Sequence, residues 1–183
     1  MPSQAYERTW DPLLRDVQNL ITLHPSQQGS PGRPAGDTGP LLRSTIVLLH
    51  TAWENYVEQL AIETVSFLLT NVTEHTALPN AQKERLSTLK NPWALAGDGW
   101  RTEARSAVEK EAARLNTPNI ANTESLLNLA GYPNSMHEIK WRRTSNIKVR
   151  TEVDRFVHDI RGEIVHKGST PGPLHKAGVE SWI

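Results

Sequence analysis

Residues 41–71, LLRSTIVLLHTAWENYVEQLAIETVSFLLTN, decide how this chain folds. Leu42, Ile46, Leu49, Trp53, Tyr56, Leu60, Thr64, Phe67 and Asn71 recur at alternating steps of four and three. That spacing lays one apolar seam along a helix of roughly eight turns, polar only at its Asn71 end. So long a seam suits a bundle core helix, or a helix that pairs with a second subunit. Leu41, Leu48, Ala52, Val57, Ala61 and Leu68 widen the stripe and predict burial on more than one side.

Outward from this helix the chain reads as helices joined by breakers. Residues 5–24 carry Trp10, Leu13, Leu14, Val17, Leu20 and Ile21 at helical spacing, with Asp11-Pro12 as an interruption or restart. The stretch PSQQGSPGRPAGDTGP, residues 25–40, predicts a flexible Pro/Gly-rich loop. A short helix over 80–90 ends at Asn91-Pro92, and a charged one spans 100–115. Thr117 as N-cap with Pro118 at the first helical position opens the next helix, which Gly131 can close. After an irregular stretch over 132–143, a last helix runs from Ser145 to His166, with Gly168 as its cap and Pro171 as a stop. The tail beyond is Pro/Gly-rich and expected to fray, though Val179, Trp182 and Ile183 can dock. No segment of useful length has a strand period. The expected fold is all-α: a helical bundle with long antiparallel core helices and short accessory ones. Its parts are an N-terminal helix (1–24), a loop (25–40), the bundle domain (41–168) and a C-terminal tail (169–183).

Composition narrows the function. The 183 residues suit one domain with a real core. Formal net charge is zero, so any nucleic-acid binding must come from a local patch. Cysteine is absent, which removes disulfides, thiol catalysis and cysteine-ligated zinc. The first residues lack the charged-then-apolar layout of a signal peptide, and no apolar run has the length of a membrane span. The expectation is a soluble cytoplasmic protein with no membrane partner.

The last helix carries the chemistry. On a wheel at about 100° per residue with Val149 at zero, the apolar stripe of Val153, Phe156, Val157, Ile160 and Ile164 spans about −20° to +80°. Arg161 falls near 120° and His166 near 260°, bracketing the face opposite the core. Between them lie Asp154, Arg155, His158, Gly162 and Val165. A guanidinium can hold a phosphate and an imidazole can move a proton near neutrality, which together allow RNA cleavage without a metal. Gly162 costs a helix interior roughly 0.5–1 kcal/mol and points to a close approach by a helix or ligand. A plainer alternative makes Arg161 to Lys167 a basic helix end that complements the dipole.

Lys140, Arg142, Arg143, Lys148 and Arg150 cluster without an intervening acid, and Trp141 sits among them as a ring on which a base can stack. The alternative is a solvated basic turn with Trp141 packed inward. His158, Glu163, His166 and His175 lack the spacing of a helical zinc pair, so no metal site and no cofactor are expected. There is no phosphate loop and no nucleophile elbow. His50 reads as a partly buried structural residue. Glu54, Glu58 and Glu63 read as a solvated stripe, or as a brace for an arginine.

Taken with their order, these segments resemble the HEPN superfamily, in particular its RiboL-PSP type. Arg161-x4-His166 is similar to the Arg-x(4–6)-His motif near the end of that family's final helix. Thr51 to Leu60 resembles its early core helix. Leu115-Asn-Thr-Pro-Asn119 with Leu126, Leu127 and Gly131 is similar to a family segment, and Trp141 fits an aromatic before the last helix. The resemblance covers roughly residues 40–168. It implies an RNase acting as a homodimer, with Arg161 and His166 catalytic in a composite cleft and single-stranded RNA or tRNA as substrate. An antitoxin or regulatory partner, and a role in toxin–antitoxin or anti-phage defence, are also implied. Gly162 departs from the family pattern, where a polar residue often follows the arginine. His158 and Glu163 are possible supporting groups. The departure leaves open a catalytically inactive dimerisation or RNA-binding module.

Overall fold

The computed structural model describes residues 3–25, 37–139, 141, 143–170 and 172–183. Residues 26–36, most of the expected loop, lie outside the described residues. A π-helical turn (Tyr6–Trp10) leads into α1 (Asp11–Thr22), followed by α2 (Gly39–Asn71), α3 (Asn80–Ser87), α4 (Gly99–Ala112) and α5 (Ile120–Ala130). Then α6 (Asn146–Arg155), a π-helical segment (Phe156–Arg161) and α7 (Gly162–Lys167) run on as one continuous helix, and α8 (Lys176–Glu180) closes the chain. Among the described residues there is no strand, only an isolated bridge between Trp141 and Thr144. The molecule is an all-α bundle. No helix among the described residues is long and apolar enough to cross a membrane.

The 33 residues of α2 are the spine of two separate cores. With Leu42 at zero on a wheel of 100° per residue, Ile46 and Leu49 lie near +40° and −20°. They pack with Val17, Ile21, Phe156, Val157, Ile160, Ile164 and Val179. Farther along, Val57, Ala61, Val65 and Leu69 step by four and so climb from about 60° to about 180°. Those residues join Trp100, Ala104, Val108, Leu126 and Leu127 in the second core. The heptad seam is therefore only half right. Phe67 keeps the azimuth of Leu42 and Leu49 but is 72% exposed, because α4 and α5 cover the other flank of the helix.

Polar ties join these layers. Gln82 is fully buried, and its Nε2 donates to the Leu129 carbonyl at 2.7 Å and the Ala104 carbonyl at 3.4 Å, tying α3 to α5 and α4. Glu63 accepts from the Gln4 and Ala5 backbone N–H groups at 3.1 and 2.8 Å, so it anchors the N-terminal turn and is not simply solvated. Trp10 meets Trp53 edge-on at 6.3 Å, and Trp182 packs on Phe156 at 5.1 Å. Val179 is buried, so the tail docks through its apolar residues and does not fray there as its Pro/Gly content suggested.

Two caps follow the sequence and one does not. Gly131 (φ 105°) and Gly168 (φ 66°) end their helices in the left-handed conformation that glycine tolerates. The N-cap of α5 is Asn119, not Thr117. The helix begins beyond Pro118, at Ile120. There the Asn119 Oδ1 accepts from the Asn122 N–H at 2.8 Å.

Candidate functional site

The long terminal helix is seated by its contacts with the start of α5. Ser145 caps α6 by accepting from the Lys148 N–H at 3.4 Å. Two turns on, Asp154 Oδ1 accepts from the Ile120 N–H at 2.8 Å, a carboxylate against the positive end of a helix. Because Asn119 spends its Oδ1 on its own helix, its amide nitrogen is left to meet His158 Nε2 at 3.0 Å. The Trp53 indole donates to the Pro118 carbonyl at 2.8 Å and fixes the same corner from α2. His158 is thus a docking residue of the bundle.

The π segment then changes which way the motif points. A π turn bonds i to i+5 and takes one more residue than an α turn, so residues at and beyond it lag the α wheel. The lag is up to about 100°, toward the apolar stripe. Arg161, at the end of that segment, is half-buried and not on the face opposite the core. Its charge reaches His50 and Glu54 on α2.

That pair is the part of the site that sequence reasoning passed over. His50 is buried, stacks on Phe156 at 6.5 Å, and has Nδ1 3.9 Å from Glu54 Oε2. Burial, and then the Arg161 guanidinium, lower its pKa to about 4, so the ring is neutral at pH 7. Burial raises the Glu54 carboxyl above its usual range, and Arg161 partly offsets this. Burial, and then Glu54, also raise Glu58. Both His50 Nε2 and Glu54 Oε2 are buried without a hydrogen-bond partner among the described residues. The available signal was the i,i+4 spacing of His50 and Glu54 on a helix face otherwise apolar.

His166 is exposed one turn beyond, in the last turn of α7. Among the described residues no ion pair occupies either Arg161 or His166. Glu163 is taken up by Lys167, Oε1 to Nζ at 2.7 Å. Gly162 has ordinary α-helical dihedrals, and a Cβ there would meet only the Val157 carbonyl at 3.8 Å. Nothing within the chain demands a glycine at that position. Beside it Val165 is 47% exposed.

The basic cluster divides. Lys140 and Arg142 lie outside the described residues. Arg143 is exposed at φ 62°, Lys148 is exposed, and Trp141 is 40% exposed. Arg150 is engaged: its guanidinium lies 3.6 Å from Glu124 and 3.3 Å from the His137 ring. Among the described residues no three His, Asp or Glu side chains form a group able to hold a metal. What the arrangement can do is hold an anion at a restrained guanidinium and move a proton at an exposed imidazole.

A family model described as RiboL-PSP-HEPN matches residues 12–183. No curated protein and no solved structure matches the chain.

Proposed function

The chain belongs to the RiboL-PSP-HEPN family, and from that premise we propose that it is a metal-independent endoribonuclease acting as a homodimer. The supporting observation is the end of the terminal helix. Arg161 is half-buried, near enough to His50 and Glu54 for its charge to bear on both, and His166 stands exposed one turn on, neither of them in an ion pair among the described residues. Two copies of this helix end, meeting at Gly162 and the exposed Val165, frame one cleft for single-stranded RNA or tRNA.

In this reading His166 of one protomer takes the proton of a ribose 2′-hydroxyl, whose oxygen attacks the adjacent phosphorus. Arg161 holds the non-bridging oxygens as charge builds on them. The bond to the 5′-oxygen breaks, and His166 of the second protomer protonates that leaving oxygen. The products are a 2′,3′-cyclic phosphate and a 5′-hydroxyl, and DNA, lacking the nucleophile, is spared. Trp141, Arg143 and Lys148 carry the strand toward the cleft. Such an activity fits toxin–antitoxin or anti-phage defence, under an antitoxin or regulatory protein, in the cytoplasm.

Gly162 favours a second reading, an inactive dimerisation or RNA-binding module, since no polar side chain follows Arg161. One assay separates the two. Purified protein with RNA in EDTA should yield cyclic-phosphate ends. His166→Ala should lower the rate by ~10²–10⁴-fold, and Arg161→Ala by ~10²–10³-fold. Loss of cleavage on adding EDTA, or equal cleavage by wild type and His166→Ala, would overturn the enzyme. RNA retention without cleavage would leave the module.

A further inference from the structure

Four of the six tryptophans, Trp10, Trp53, Trp141 and Trp182, line one cavity of about 340 Å³, with Phe156 as a fifth ring. They come from the N-terminal turn, α2, the stretch before α6 and the tail, so tertiary folding alone assembles them. Sites for small organic ligands span roughly 300–1,000 Å³, so this one suits a single ring system. Among the described residues no charged side chain lines it, and Ser181 supplies a hydroxyl beside the indole rings. A phosphate or carboxylate has no seat inside. Two positions along the chain from Trp141, Arg143 is exposed at φ 62°.

From these two features we infer that the cavity seats a nucleobase. A flat, uncharged heterocycle stacks among the indoles, and the attached phosphate stays outside on Arg143. A free cation is the wrong occupant, because no acid is among the described residues that line the cavity. The cavity floor also links to the proposed cleft: Phe156, in its wall, stacks on His50, which senses Arg161. As a subsite for substrate the inference rests on the ribonuclease reading; as a nucleotide site it stands alone.

Tryptophan fluorescence of the full chain, titrated with the four nucleoside 5′-monophosphates, should show saturable quenching. Cyclohexyl phosphate, of similar size without a π face, should give none. Trp141→Ala should weaken binding roughly 5- to 150-fold, the equivalent of one lost stacking contact. Trp141→Phe should restore much of it, which a merely structural role would not predict. Competition by an RNA oligonucleotide, but not by its abasic version, assigns the seat to the substrate strand; competition by neither assigns it to a free nucleotide. Absence of quenching, or equal quenching by cyclohexyl phosphate, overturns the inference. Saturable quenching with no cleavage of any RNA upholds the base seat and sinks the ribonuclease. Cleavage of RNA with no quenching by any nucleotide does the reverse.

Discussion

The two halves of α2 support different kinds of interior. Around Val57, Ala61, Val65 and Leu69 the core joins aliphatic side chains to Trp100 and Met136, and its buried amide, Gln82, donates to two carbonyls while its Oε1 has no partner among the described residues. Around Leu42, Ile46 and Leu49 the helix packs on α1, the terminal helix and the tail, beside a buried His50, a half-buried Arg161 and an indole-lined cavity. His50 Nε2 and Glu54 Oε2 are left unpaired at this end. Leaving buried polar atoms without partners costs stability, typically ~1–3 kcal/mol each. Both halves hold buried polar atoms without a hydrogen bond among the described residues. What separates them is charge: the second sets the ionisable His50 and Arg161 beside its core, where the first buries the neutral amide of Gln82.

The largest expected effect tests the first of these halves. Leu127→Ala removes a side chain only 1% exposed and should cost ~2–5 kcal/mol in denaturant unfolding. RNA cleavage by the fraction still folded should be unchanged. A loss of cleavage in folded protein would join the two halves and undo the contrast.

Next comes the acid response of the other half. His50 has its pKa lowered from 6.5 to about 4, so in the fold it stays neutral where the unfolded chain takes up a proton. Its contribution is full above pH 6.5, drains as pH falls through the folded value near 4, and amounts to roughly 3 kcal/mol. The groups that face it are Arg161, which acts in the same direction, and Glu54, whose raised carboxyl acts in the opposite one. Unfolding free energy measured from pH 7 to 4 should fall less steeply in His50→Gln than in wild type. Identical slopes would remove His50 as the acid-sensitive element.

Gly162→Ala should have the smallest effect on the fold. Replacing a mid-helix glycine gains ~0.5–1 kcal/mol where space allows, and here the nearest atom to the new Cβ is 3.8 Å away. Monomer stability should therefore rise slightly while dimer affinity, followed by sedimentation, weakens. A destabilised monomer would mean the glycine serves the chain's own packing instead.

Much of this was legible from local pattern. The seam of α2, the glycine stops at 131 and 168, the Ser145 start and the docking residues of the tail all rest on spacing or on dihedral chemistry carried by single residues. Other features were hidden, each for a physical reason. Phe67 matches the heptad seam, yet its exposure depends on which flank α4 and α5 take. Thr117-Pro118 has the look of a helix start, but Asn119 competes for the cap and wins through its own side-chain bond. The π segment leaves no mark in composition, so a wheel drawn at constant pitch sends Arg161 to the wrong flank. Arg150 reads as a free cation until Glu124, 26 positions earlier, closes on it at 3.6 Å.

Periodicity and turn chemistry act within a few residues, and so the chain alone determined its helices, their ends, its helical class and the motif that carries the family resemblance. Which side chains became neighbours is a matter of packing between elements distant in sequence. Only the tertiary structure set Arg161 beside His50 and Glu54, tied His158 to Asn119, and gathered four tryptophans around one cavity. Burial and charge at those meetings depend on every element present, and no single segment encodes them.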